Sequence, residues 1–287
     1  MYDLQGKVAV ITGAGSGIGR ALSIALAKEG CVLALADINE AGLKETARLA
    51  QAHGVKVSSH RVDVSDKEQM RTFPEEVVKA HGRVQVLVNN AGVTVSHTVH
   101  DMTLEDFEWI VGINFWGVVY GCKFFLPWLE KEPEAHIVNL SSLFGLIGVP
   151  TQASYCATKF AVRGFTESFR AELEEGGSPV RITSVHPGGI DTDIVRNGRF
   201  RQGVSGVSTH EEMVEWFKKL AITTPERAAG EIVKAIKRAR PRLLIGRDAK
   251  ILSLIQRLMP VRYQAVVTAM LGRAGRRSRL RVMPADR

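Results

Sequence analysis

The chain predicts a doubly wound α/β fold, a parallel sheet with helices on both faces, extended at its C-terminus by amphipathic helix. Three observations carry this. Short apolar runs of strand character alternate with amphipathic helical stretches from residue 7 to about 246. No low-complexity linker or internal repeat interrupts them, so the alternation reads as one domain. The 287 residues are 45% apolar and 24% charged, enough chain for one large core.

The first element runs from Lys7 to Thr12, apolar and β-branched as a strand buried on both faces requires. Gly13, Gly15, Gly17 and Gly19 follow, with Ser16 and Ile18 between them, and the stretch from Arg20 to Ala27 carries an apolar stripe at helical spacing. Strand, glycine turn and helix in this order make a pyrophosphate cradle. Backbone N–H groups at the helix start face the anion, and absent side chains let it approach. The literal G-x-G-x-x-G spacing is not present.

The second strand, Cys31 to Ala36, ends in Asp37, 18 residues after Gly19, where a carboxylate accepts from a ribose 2′-hydroxyl. A 2′-phosphate there would meet repulsion of about 4 kcal/mol per charge pair at 4 Å and an effective dielectric near 20. Ile38 and Asn39 are neutral, and Ser16 stands where a base in the loop would offset that charge. Asp37 therefore argues for NAD over NADP, with a cap on the helix beginning near Glu40 as its structural alternative.

Tyr155 and Lys159 lie four residues apart, on one face of a helix, where an ammonium favours phenolate over phenol. That makes Tyr155 a candidate acid or base near neutral pH. Bringing a phenol from about 10 to near 7 takes roughly 4 kcal/mol, within reach of Lys159 and a nicotinamide cation together.

With these features in place the chain resembles the classical short-chain dehydrogenase/reductase (SDR) family over about residues 5 to 245. Thr12 to Gly19 match its T-G-x-x-x-G-x-G loop, and Asn89, Asn90, Ala91 and Gly92 match its N-N-A-G after the strand at 84 to 88. Ser142 stands 13 residues before Tyr155 at the end of a strand, as the family's catalytic serine does. Asn114 matches the family's structural and proton-relay asparagine, and Asp63, beside Val64, its adenine-binding acid. Pro187 and Gly188, with Ile190 and Thr192 beyond, match the stretch that contacts the nicotinamide end. His186 departs from the family, which often has Asn there, and reads as a packed strand-end histidine.

The resemblance implies a Rossmann-type sheet and NAD-dependent interconversion of a secondary alcohol and a ketone. Tyr155 would exchange the proton, Ser142 hold the substrate oxygen, Lys159 hold the nicotinamide ribose, and Asn114 position a water linking Lys159 to solvent. No G-x-S-x-G elbow surrounds Ser142, which argues against acyl transfer. The family also implies a homodimer or homotetramer through the helices carrying Asn114 and Tyr155. Two alternatives stand: an NADP-linked carbonyl reductase in which Asp37 only caps a helix, and a dinucleotide-binding sensor without chemistry. The sensor has no need of Ser142, Tyr155, Lys159 and Asn114.

Beyond Ser142 the loop is apolar, with Leu143, Phe144, Leu146, Ile147, Val149 and Pro150. Residues of about 190–222, with Phe200, Met213, Trp216 and Phe217, read as a lid, and the two together predict an apolar wall suited to a small hydrophobic alcohol or ketone. Cys31, Cys122 and Cys156 are too few for a disulfide framework and fit a reducing cytoplasm. His97 and His100 share a loop and read as solvated, and no metal site is expected. No signal peptide or spanning segment is expected.

Residues 1–247 read as the catalytic domain and 248–287 as a basic amphipathic tail. Residues 240 to 287 hold 12 Lys and Arg against 2 Asp and Glu, while the rest holds 26 against 28. Ile251, Leu254, Ile255, Leu258 and Met259, then Tyr263, Val266, Val267, Met270 and Leu271 after Pro260, fall at helical spacing. Arg273, Arg276, Arg277, Arg279 and Arg281 follow. Such a tail packs on the body or a partner subunit, covers the substrate entrance, or rests peripherally on an anionic membrane. Nucleic acid is not expected, since no nucleic-acid-binding fold or interleaved aromatics accompany the arginines.

Overall fold

A computed structural model describes residues 3–201 and 209–269. Seven strands form one parallel sheet: β1 Val8–Thr12, β2 Val32–Asp37, β3 Val57–Arg61, β4 Val86–Asn89, β5 Ala135–Leu140, β6 Val180–Pro187 and β7 Arg242–Ile245. Their spatial order is β3-β2-β1-β4-β5-β6-β7. The order reverses between β1 and β4, which opens a crevice at the carboxyl ends of those strands. The predicted Rossmann-type fold is the one observed.

Helices α1 Gly17–Lys28, α2 Glu40–Gln51 and α8 Pro225–Lys237 cover one face of the sheet, where Leu22, Leu26, Leu43, Ile232 and Ile236 meet Ile11, Leu33 and Val88. Helices α3 Lys67–His81, α5 Gly117–Leu129 and α6 Ala153–Glu175 cover the other, bringing Phe73, Phe125, Leu129 and Val162 onto Val10, Leu87 and Ile137. Alternate residues of each central strand thus enter different cores, which is why those strands read as unbroken apolar runs. Edge strand β3, with Ser58, Ser59 and His60, has no such run.

Asn39 caps α2 by accepting from Gly42 N, and Asp66 caps α3 by accepting from Glu68 N and Gln69 N. Asp37 and Asp63 are therefore free of capping duty. Between α4 Leu104–Val111 and α5 the chain makes a π-helical turn, Gly112–Trp116, with Asn114 buried inside it. The run Leu104–Leu129 is apolar and long enough to cross a bilayer by length and composition. Here it is a layer of the fold, with Val118, Cys122, Phe125 and Leu129 in the core.

Two expectations fail. His97 is fully buried, bonded through Nε2 to Ser154 Oγ at 3.0 Å and through Nδ1 to Thr98 O at 3.1 Å; only His100 is solvated. Leu143, Leu146, Ile147 and Val149 do not form a wall facing substrate. They are buried in a third cluster with Ala249, Tyr263 and Val267, because the C-terminal helices supply the apolar partner that the loop needs. Of the two helices expected there, α9 spans Arg247–Leu258, and the chain turns at Pro260 and is helical again over 263–269. Tyr263 Oη accepts from Gly148 N at 3.0 Å, tying this segment to the loop after Ser142. Helix α7, His210–Leu220, lies in the predicted lid. Lid residues 202–208, and Met270, Leu271, Arg273, Arg276, Arg277, Arg279 and Arg281 of the tail, lie outside the described residues.

Candidate active site

A cleft of about 580 Å3 lies at the strand ends where the sheet order reverses. Of the residues expected from sequence to act in catalysis or to hold the cofactor's pyrophosphate, ribose, adenine or nicotinamide end, all but Gly15, Gly19 and Asn114 line it. Those three stand behind its wall. Gly13 and Gly17 have φ of 64° and 51°, the left-handed region in which a side chain is strained. A Cβ on Gly19 would stand 2.0 Å from Gly13 O, and one on Gly13 2.8 Å from Ala91 Cα. Ser16, at the start of α1, makes no side-chain cap, so the first-turn N–H groups keep their donor capacity for an anion.

Thr12 and Asn90 fasten this turn to β4. Asn90 Nδ2 donates to Thr12 O at 2.9 Å and Gly13 O at 3.1 Å, while Thr12 Oγ1 accepts from Asn90 N at 3.0 Å and Ala91 N at 3.1 Å. Asp37 accepts from Gly15 N at 2.8 Å and Asn39 N at 2.9 Å, which holds its carboxylate at the rim of the cleft. Asp63 Oδ1 accepts from Ser65 N at 2.9 Å and Ser65 Oγ at 2.6 Å. This end fits a dinucleotide: a cradle that Cβ atoms would fill, a helix start with free donors, and two carboxylates spaced along one groove.

The other end is built from side chains. Tyr155 lies in the first turn of α6 and Lys159 one turn later. Lys159 Nζ stands 5.7 Å from the Tyr155 ring centre and donates to Leu140 O at 2.9 Å. Burial lowers the Lys159 ammonium to about 8. Burial also pushes the Tyr155 phenol up to about 12, opposed by its hydrogen bond with Ser142. In this geometry the pair therefore sits as a phenol beside an ammonium at pH 7, and Lys159 alone does not deliver the expected lowering of Tyr155.

Ser142 follows β5 and its Oγ accepts from Phe144 N at 3.1 Å. Its carbonyl accepts from His186 Nδ1 at 3.1 Å, and His186 Nε2 pairs with Ser184 Oγ at 3.0 Å. Burial lowers His186 to about 4, so it stays neutral and, with Nδ1 donating to a carbonyl, in one tautomer. The packed strand-end histidine thus also steadies the serine. Asn114 Oδ1 accepts from Val93 N at 2.8 Å, and Nδ2 donates to Val93 O at 2.9 Å and Thr158 Oγ1 at 3.2 Å. Both amide hydrogens are spent on clamping the chain beyond Gly92 to α6. Gly92 completes the corner, since its Cβ would stand 3.4 Å from Lys159 Nζ.

A small cavity of about 60 Å3 adjoins this corner, bounded by Phe144, Val195, Phe200, Met213 and Phe217 with Thr94, Ser96, Gln152, Arg199 and His210. Phe144 meets the Tyr155 ring edge-on at 6.0 Å. Arg199 stacks on Trp109 at 3.9 Å and bonds Asp106 at 2.7 Å.

Two residues escaped the sequence reading. Arg20 donates to Thr46 Oγ1 at 3.0 Å and to the carbonyls of Gly15 and Gly42, bracing the turn from α1; a charged residue directly after Gly19 was its only signal. Asp248 in α9 accepts from Gly189 N at 2.7 Å through Oδ2, beside Pro187 and Gly188. Its buried Oδ1 has no partner among the described residues. Nothing local in sequence links positions 59 residues apart.

The family model for short chain dehydrogenases matches residues 7–202. A Mycobacterium tuberculosis protein named as the oxidoreductase SadH is 44% identical over 270 residues, covering 94% of this chain and 96% of its own. A Burkholderia phymatum short-chain dehydrogenase/reductase, solved in complex with NAD, superposes with a TM-score of 0.82 at 30% identity, over 90% of this chain and 95% of that one. An alcohol dehydrogenase from Thermococcus sibiricus, solved with 5-hydroxy-NADP, gives 0.70 at 28% identity over 84% and 96%. With Ser142, Tyr155 and Lys159 gathered at one end of the cleft and the glycine turn at the other, the chain belongs to the short-chain dehydrogenase/reductase family of oxidoreductases.

Proposed function

We propose that the protein interconverts a secondary alcohol and a ketone by hydride transfer with NAD, on a small substrate with an apolar body. The observation that carries this is the meeting of Ser142, Tyr155 and Lys159 at one wall of a cleft whose far rim holds Asp37. The glycine turn and the start of α1 would hold the pyrophosphate, Asp37 the adenine-side ribose, Asp63 and Val64 the adenine, and Pro187, Gly188, Ile190 and Thr192 the nicotinamide end. When bound, the nicotinamide supplies the hydride acceptor or donor and, oxidised, a positive charge.

Ser142 Oγ orients the substrate oxygen toward Tyr155. As a phenol, Tyr155 is ready to give a proton to a ketone oxygen. Taking a proton from an alcohol requires its pKa to fall from about 12 to near 7, worth about 7 kcal/mol. The Lys159 ammonium, 5.7 Å from the ring centre, favours the phenolate. The nicotinamide cation of the oxidised cofactor would add a second positive charge in the cleft, which favours the phenolate when Tyr155 acts as a base. Phe144, Val195, Phe200, Met213 and Phe217 bound the substrate end, which favours an apolar substrate body over a sugar.

NADP remains a second reading because Arg61 stands in register beside Asp37 across β2 and β3. Its pairing with Glu40 at 3.3 Å is exposed on both sides and therefore cheap to break, which would free it for a 2′-phosphate. Dissociation constants for NADH and NADPH decide between the two: at least tenfold tighter NADH supports Asp37 as the reader, and equal values overturn it. A homo-oligomer is supported by the face of α5 and α6, where Trp116 and Phe160 are 45% and 40% exposed and Trp116, Tyr120 and Phe124 stack in a row. A monomeric mass by light scattering at micromolar concentration would refute it.

A further inference from the structure

Helix α9 is apolar on two faces, and only one is used. Ala249, Leu252 and Ile255 face the loop after Ser142 and pack in its cluster. On the outer face, Ile251, Leu254, Leu258 and Val261 are 56, 57, 71 and 78% exposed. Their spacing of three and four residues makes one stripe along the helix and past its end. Arg247, Lys250, Arg257 and Arg262 are exposed alongside it. The acid of the helix, Asp248, is turned away onto Gly189.

We propose that this face of α9 seats the protein on the surface of an anionic lipid bilayer, the stripe entering the headgroup boundary and the four bases meeting the lipid charges. Both halves of an interfacial helix are present: adjacent aliphatic side chains and a basic margin. A second copy of the chain is the poorer occupant, because a two-fold contact on this stripe would set basic margin against basic margin. The remainder of the tail does not reverse the sign, since residues 270 to 287 add six Arg and one Asp. The inner face of α9 contacts the loop whose Phe144 touches the Tyr155 ring. A helix diameter of about 10 Å therefore separates the proposed lipid contact from the wall of the catalytic corner.

Flotation of the full-length protein with vesicles of phosphatidylcholine, with and without phosphatidylglycerol, tests this independently of any activity. Recovery with the anionic vesicles, at least tenfold above that with the neutral ones and falling as salt rises above ~0.1 M, is the expected result. The double substitution Leu254→Glu and Leu258→Glu should abolish recovery. Arg257→Gln should lower partitioning about fivefold, the equivalent of about 1 kcal/mol per base. Thermal midpoint and NADH affinity should stay at parental values in both variants, since these side chains are exposed and line neither cavity. No flotation of the parent, flotation that survives the double substitution, or a double variant whose mass by light scattering drops to a smaller oligomer would each overturn the proposal.

Discussion

The two ends of the cleft are made by opposite means. At the dinucleotide end the chain withholds side chains at the turn: Gly13, Gly17 and Gly19 sit where a Cβ would strain or clash, beside helix-start N–H groups and two carboxylates. At the substrate end it supplies them, with Tyr155, Lys159, Ser142 and Phe144 brought together from two segments and steadied by a third through His186. Binding should therefore be broken by adding atoms at the first end, and chemistry by removing them at the second.

The largest expected effect tests the second half of that contrast. Tyr155→Phe removes one oxygen from the wall and should lower kcat by about 10²–10⁴-fold, the range for loss of a general acid or base. NADH affinity, by fluorescence titration, should stay within about twofold, because the dinucleotide end is untouched. Undiminished turnover would take Tyr155 out of the mechanism.

The first half is tested at Gly19. Its Cβ would lie 2.0 Å from Gly13 O, so Gly19→Ala must displace the turn and should weaken NADH at least tenfold. Gly230, inside α8 with no atom within 4 Å of an added Cβ, is the control. Gly230→Ala should leave binding alone and stabilise the fold by about 0.5–1 kcal/mol, read from urea unfolding. Equal responses at the two glycines would mean that close approach is not what Gly19 serves.

The same division explains what was legible in the sequence. The strands, the glycine turn and Asp37 lie close together in the chain, and short-range pattern finds them because local geometry needs those residue types. Tyr155 and Lys159 were legible for the same reason, being one turn apart. What local pattern misses is long-range pairing. Leu143, Leu146 and Ile147 look like a substrate wall until Tyr263 and Val267 cover them from more than a hundred residues away. His97 looks solvated until Ser154 reaches it. Asn114 shows no partner in its neighbourhood until Val93 and Thr158, 21 and 44 residues away, are seen to take both its amide hydrogens.

Lys159 links stability to the chemistry. Burial lowers it to about 8 from an ordinary value of 10.5. Between those values the unfolded chain holds the extra proton, so the parent gains stability as pH rises from about 8 toward 10.5; below about 8 the full penalty applies, about 3 kcal/mol. Lys159→Met removes that penalty but leaves Leu140 O without its donor, worth about 1 kcal/mol. The variant should thus be inactive yet about 2 kcal/mol more stable than the parent at pH 7, with the gain shrinking by pH 10. Urea midpoints at the two pH values check this, and a variant less stable at pH 7 would show that the ammonium is held at no cost.

The smallest effect concerns the boundary between the catalytic body and the tail. Asp248 Oδ2 holds Gly189 N from the first turn of α9, and a Cβ on Gly188 would clash with the same carboxylate, so the Pro187–Gly188–Gly189 turn is shaped against the tail. Asp248→Ala frees that N–H and should weaken NADH about three- to tenfold, in line with about 1 kcal/mol for one hydrogen bond. Asp248→Asn keeps an oxygen for Gly189 N and discharges the buried Oδ1 that lacks a partner. Its NADH affinity should stay within about twofold of the parent, because that bond survives. A loss in the alanine variant alone would place the turn's support in a hydrogen bond from α9, making the substrate end of the cleft a joint product of body and tail. Parental binding in both would show that β6 positions the turn unaided and that the tail's work, if any, lies on its outer face.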